Sequence, residues 1–130
     1  MASEEKPTEK RSLRVLVIDD QESVRSFLSR FVSRLGFEVS SVESGSRAVE
    51  LVKSEGFDLY FIDMRMPGLN GLETLRGIRR IVPSAAVVVM TGYADEELLA
   101  GVRAEGVIDI LAKPFDLGRL RAIVAGLPRA

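Results

Sequence analysis

The chain has 130 residues, 46% hydrophobic and 28% charged, and a formal net charge of −1 from 18 basic and 19 acidic side chains. That composition fits one soluble domain with a core of its own, and the balanced charge leaves no footprint for nucleic acid or an anionic membrane. Cysteine and histidine are both absent, which excludes disulfides, thiol nucleophiles, the Ser-His-Asp triad and the common zinc centres, and leaves chemistry to carboxylates, hydroxyls, lysine and a hard metal.

Residues 1–12, MASEEKPTEKRS, are polar and charged and read as a flexible N-terminal tail ahead of a domain at 13–127. The tail lacks the apolar stretch of a signal peptide, and no apolar run approaches the roughly 18–20 residues that span a bilayer, so a cytoplasmic location is expected. Arg14-Val15-Leu16-Val17-Ile18 is apolar and β-branched, reads as a buried strand, and runs into Asp19-Asp20. From Gln21 to Leu35, Val24, Phe27, Leu28, Phe31 and Leu35 recur at helical spacing, with Gly36 as a stop. The outward face of that helix carries Arg25, Arg30 and Arg34, and solvation accounts for it. Phe37–Val42 alternates, as a half-exposed edge strand does. A second helix opens at Ser44 or Gly45, turns Ala48, Val49 and Val52 inward and closes at Gly56.

Leu59-Tyr60-Phe61-Ile62 is a third apolar run, and it stops at Asp63. Met66-Pro67-Gly68 and Asn70-Gly71 follow as turn signals. Leu72, Leu75, Ile78 and Val82 mark a third helix that stops near Pro83. Ala85–Met90 is a fourth strand leading into Thr91-Gly92-Tyr93. Asp95-Glu96-Glu97 opens a fourth helix with acids at its positive end, and Gly106 ends it. Val107–Leu111 is a fifth, short strand, followed by Lys113-Pro114-Phe115. Asp116 is the expected N-cap of a last helix that carries Leu117, Leu120, Ile123, Val124 and Leu127. Strand and helix alternate five times, which argues an α/β fold: a doubly wound five-stranded parallel sheet with helices on both faces.

In a parallel sheet the carboxyl ends of the strands share one edge, where ligands bind at a topological switch point. The residues just past those ends are Asp19 and Asp20, Asp63, Thr91 and Lys113. Two unit charges about 4 Å apart repel by roughly 4 kcal/mol at an effective dielectric near 20, so gathered acids stay protonated or recruit cations. Lys113 supplies one positive charge, and a hard divalent ion with oxygen ligands is the natural second. Carboxylate, hydroxyl, lysine and Mg²⁺ together form a phosphoryl-transfer site with Asp63 as nucleophile.

From about Ser12 to Leu127, the sequence resembles the receiver domain of two-component response regulators. The matching residues are Val17-Ile18-Asp19-Asp20, Asp63-Met64-Arg65-Met66-Pro67-Gly68, Thr91-Gly92-Tyr93 and Lys113-Pro114-Phe115. Each motif alone is weak; all of them at strand ends and in family order are specific. The resemblance implies the flavodoxin-like strand order 2-1-3-4-5. It also implies that Asp63 accepts a phosphoryl group from a phosphohistidine on a sensor histidine kinase or phosphotransfer protein. Mg²⁺, with Mn²⁺ as an alternative, is implied on Asp20, Asp63 and the Arg65 backbone carbonyl, with Asp19 reaching it through water. Lys113 is implied to hold a phosphoryl oxygen, Thr91 to be the switch hydroxyl, Tyr93 the aromatic that follows it inward, and Pro114 to follow a cis peptide. The helix after Asp20 is the implied docking face for the donor. Output then runs through a downstream protein or an effector domain outside this chain, with no direct nucleic-acid or membrane binding.

Two other functions are distinguishable. Phosphatases and mutases of the haloacid dehalogenase group also use an aspartyl phosphate, but they carry a second Asp two residues past the nucleophile, where this chain has Arg65. A constitutive interaction module would have no use for an intact set of acids.

Overall fold

The computed structural model describes residues 13–92 and 95–127; the expected tail at 1–12 and the expected switch residue Tyr93 lie outside them. Strands β1 (Arg14–Ile18), β2 (Glu38–Val42), β3 (Leu59–Asp63), β4 (Val87–Thr91) and β5 (Asp109–Ala112) alternate with helices α1 (Glu22–Arg34), α2 (Gly45–Val52), α3 (Gly71–Ile81), α4 (Glu96–Ala104) and α5 (Leu117–Ala125). The strands form one parallel sheet in the order β2-β1-β3-β4-β5. This is the flavodoxin-like order 2-1-3-4-5 that the sequence implies. Chain order reverses between β1 and β3, which places the switch-point crevice between the ends carrying Asp19, Asp20 and Asp63.

The strand pleat divides the core into two layers. Leu16, Ile18, Tyr60, Ile62, Val87 and Val89 pack on one face with Ala48 and Val52 of α2, Leu72, Leu75 and Ile78 of α3, and Leu99 and Val102 of α4. Val15, Val17, Leu59, Phe61, Val88 and Met90 pack on the other with Leu28 and Val32 of α1 and Leu120 and Val124 of α5. Every residue of β3 is buried, as a central parallel strand covered on both sides requires.

Some boundaries differ from the sequence reading. Helix α2 ends at Val52, ahead of Gly56, because the Ser54 and Glu55 N–H groups both donate to the Leu51 carbonyl and close the last turn early. Strand β5 begins at Asp109, where pairing with Val88 starts, and runs on to Ala112 at the threshold of Lys113. Asn70-Gly71 is a helix start. The Asn70 side chain accepts from the Glu73 N–H and the Glu73 carboxylate accepts from the Asn70 N–H, both at 2.9 Å, in a capping box.

Helix α4 is attached unevenly. At its carboxyl end, Arg76 of α3 pairs with Glu105 at 3.0 Å. Arg79 of α3 donates to the carbonyls of Glu105 and Gly106 and, at 2.9 Å, to that of Ala85. At its amino end Asp95 caps the Leu98 N–H through Oδ1 and pairs with Arg65 through Oδ2 at 2.9 Å.

Candidate functional site

Asp63 is the last residue of the central strand and only 5% exposed. It stays at the lip of the sheet because the chain turns away immediately. The Gly71 N–H donates to the Met64 carbonyl at 2.8 Å, which folds the loop back and starts α3 beside the strand end. Gly68 makes this possible with φ +78°, a conformation side chains rarely adopt. A Cβ at Gly71 would stand 2.7 Å from the Asp63 carbonyl oxygen and 2.8 Å from Met64 Cα, both backbone atoms. Glycine at 71 is therefore part of how the site is built.

Asp19 is fully buried at the end of β1. Its Oδ1 accepts from the Gln21 N–H and its Oδ2 from Lys113 Nζ, each at 2.9 Å. Asp20 beside it is exposed. Carboxylate oxygens from Asp19, Asp20 and Asp63 lie within 4.8 Å of one another. Lys113 arrives from the far side of the sheet. Its N–H donates to the Thr91 carbonyl at 2.8 Å, its peptide to Pro114 is cis, and its ammonium sits 2.9 Å from Asp19 and 3.1 Å from Asp63. Asp20, Gln21, Asp63, Arg65, Gly92 and Lys113 line a cleft of about 270 Å³.

The charges oppose one another as the acid count requires. Burial, then the Asp19 carboxylate, push the Asp63 pKa up to about 6, against the downward pull of Lys113 and with a further push from Asp20. Burial alone would lower the Lys113 pKa, but its bonds to Asp19 and Asp63 outweigh that and raise it, so the ammonium stays charged. One cation therefore faces three acids. With both Asp19 oxygens engaged, Asp20 and Asp63 are the acids with room for a further cation. An all-oxygen donor set suits a hard divalent ion. The triad is consistent with a divalent metal site.

Of the residues singled out from the sequence, the fold brings Asp19, Asp20, Asp63, Arg65 and Lys113 to one cleft. Thr91 ends β4, one residue past Met90, the partner of Asp63 in the ladder, and precedes the cleft residue Gly92. Arg25 departs from the reading as a solvated face residue. It is half-buried, and its Nη1 donates to the Asp19 carbonyl at 2.8 Å. The helical period could not reveal that bond because its acceptor is a backbone atom.

A family model described as the response regulator receiver domain matches residues 15–125. The chain belongs to that family. Receivers are phosphoacceptor switches of two-component signalling rather than classical enzymes, and their partners are kinases or phosphotransfer proteins. Sporulation initiation phosphotransferase F of Bacillus subtilis is 30% identical over 111 residues, covering 85% of this chain and 90% of that protein. The DNA-binding transcriptional regulator NtrC of Escherichia coli K12 is 34% identical over 110 residues, and there the chain spans only 24% of the relative's length. A response regulator receiver protein from Pseudomonas putida superposes with a TM-score of 0.84 at 29% identity, covering 88% of this chain and 97% of that one. The chemotaxis protein CheY4 of Vibrio cholerae gives 0.82 at 24% identity, covering 91% of this receiver and 100% of that chain, a likeness of fold. Among the described residues no helix is long and apolar enough to cross a membrane.

Proposed function

We propose that Asp63 is the phosphoacceptor of a cytoplasmic receiver unit spanning 13–127, loaded from a phosphohistidine on a sensor kinase or phosphotransfer protein. The observation that carries this is the placement of Asp63: buried at the end of the central strand, bonded to Lys113, and beside one exposed acid, Asp20. A carboxylate oxygen of Asp63 attacks phosphorus as the donor's P–N bond breaks. The electron pair of that bond leaves with the imidazole, and an acyl phosphate remains. Lys113 exchanges its bond to Asp63 for one to a phosphoryl oxygen and keeps its hold on Asp19. Asp20, Asp63 and the Arg65 carbonyl would hold Mg²⁺, or Mn²⁺ in its place, with Asp19 behind them through water. The ion, when bound, neutralises charge on the phosphoryl oxygens. Thr91 is the hydroxyl drawn toward the new phosphoryl group, and Tyr93 follows it. The face altered by that movement is α4, β5 and α5, which carries output to a protein partner or to an attached effector domain.

Support for donor docking on α1 comes from an apolar cleft next to Lys113, lined by Val24, Phe27, Pro114, Phe115 and Leu117. Phe27 stacks on Phe115 at 6.2 Å, which joins helix and loop into one surface. An aspartyl-phosphate phosphatase is disfavoured by Arg65, whose guanidinium pairs with Asp95 and offers no general acid.

The decisive test is intact mass after incubation with acetyl phosphate, with and without Mg²⁺, on wild type and Asp63→Asn. A gain of one phosphoryl group that needs both Mg²⁺ and Asp63 is the expected result. Uptake that persists in Asp63→Asn would overturn the assignment.

A further inference from the structure

Every polar atom of Asp19 has a partner, and the partners come from four separate parts of the chain. Its N–H donates to the Val42 carbonyl at the end of β2. Its carboxylate accepts from Gln21 in the turn and from Lys113 after β5. Its carbonyl accepts from Arg25, one turn into α1. The Arg25 bond acts on something the other three do not: the peptide plane between Asp19 and Asp20. Among the described residues nothing hydrogen-bonds the Asp20 carboxylate, which is exposed. What fixes where that side chain starts from is the backbone that carries it, and the orientation of that peptide is held from α1.

We propose that Arg25 is a positioning residue for the phosphoryl-transfer site. By fixing the Asp19–Asp20 peptide it presents the Asp20 carboxylate to the cleft, and so sets the affinity for the divalent ion. This rests on the proposed reading of the cleft as a metal-assisted phosphoacceptor site. Arg25 touches neither phosphoryl group nor metal in this account; it acts through the turn.

The inference makes a prediction opposite in sign to the simple electrostatic one. Arg25 is a cation near three acids. If it mattered only as a charge, removing it would tighten the binding of a divalent cation. If it holds the turn, removing it weakens binding, as loss of a group that orients a metal ligand typically does by about 10–100-fold. Mn²⁺ alone is the probe, with free ion counted by electron paramagnetic resonance against wild type, Arg25→Ala and Arg25→Gln. The second variant is less disruptive and covers failure of the first to fold, and far-UV circular dichroism checks both. Alongside, the rate of uptake from acetyl phosphate is measured across Mg²⁺ concentration.

The expected result is at least a severalfold weaker Mn²⁺ affinity and a matching rise in half-saturating Mg²⁺, with the maximal rate near that of wild type. Arg25→Lys, which keeps the charge and one donor, is expected to recover part of the affinity. Unchanged or tighter Mn²⁺ binding in folded Arg25→Gln would overturn the proposal, as would a lower melting temperature with no shift in half-saturating Mg²⁺. Wild type that binds Mn²⁺ but takes up no phosphoryl group would count against the phosphoacceptor reading while leaving the Arg25 comparison decisive. Wild type that binds no Mn²⁺ would overturn both.

Discussion

On one wall of the cleft Asp19 is fully buried and bonded through its N–H, its carbonyl and both carboxylate oxygens. On the other stands Arg65, its side chain 54% exposed, whose guanidinium pairs with Asp95 at the start of α4. The first wall belongs to buried charges whose pairing is costly to break; the second to a surface ion pair of the kind that contributes about 0–1 kcal/mol. The difference separates two tasks. Asp19, held through every polar atom, backs the proposed phosphoacceptor Asp63. Helix α4, in the face proposed to carry output, starts at a surface ion pair.

The sharpest way to break the comparison is Lys113→Met. It leaves the buried carboxylates of Asp19 and Asp63 without their cation, so metal-free stability at pH 8 is expected to fall by about 3–5 kcal/mol, measured by urea unfolding. Phosphoryl uptake is expected to drop by about 100-fold or more, since a charge aimed at the transferring group is lost. A loss below about 1 kcal/mol would mean that the first wall is as soft as a surface pair.

The pH dependence follows from Asp63. Burial, with the Asp19 charge next, raises its pKa to about 6, above the roughly 3.9 of an unfolded Asp. The folded state therefore holds a proton more tightly than the unfolded one. That contribution is complete below about pH 3.9 and is lost as pH rises through about 6. Melting of the metal-free protein should show it: Asp63→Asn, which has no proton to lose, gains on wild type between about pH 4 and 6.5 and levels off above that. A constant gap between the two would place the acid in ordinary solvent.

The smallest effect is expected at the second wall. Arg65→Gln removes the pair with Asp95 but leaves Asp95 Oδ1 to cap α4. Global stability should change by less than about 1 kcal/mol. Amide exchange in the first turn of α4 should nonetheless quicken while that of β1 and β3 does not. Exchange that quickens equally in both regions would erase the distinction between the walls.

How much of this was legible in the sequence differs by kind of interaction. The central strand is visible because burial on both faces demands an unbroken run such as Leu59–Ile62. The site is visible because Asp19, Asp20, Asp63, Thr91 and Lys113 each fall where a strand stops, and parallel strands stop on one edge. What stayed hidden depends on atoms that a pattern of side chains does not encode. Arg25 bonds a carbonyl, Gly71 matters for the backbone it lets approach, and Arg65 reaches a partner thirty residues away. Asn70-Gly71 shows a further ambiguity. The same dipeptide makes a turn or starts a helix, and here Glu73 completes the capping box and decides.

Arg79 donates to the carbonyls of Glu105 and Gly106, which ties the carboxyl end of α4 to α3. If α4 moves when the site is loaded, it would swing about that end rather than slide. Helix α4 has nine residues and is about 13 Å long at ~1.5 Å per residue, so a tilt of ~10° would carry its amino end roughly 2 Å. That displacement would fall at Asp95, the partner of the cleft residue Arg65, while the far end keeps its bonds to α3.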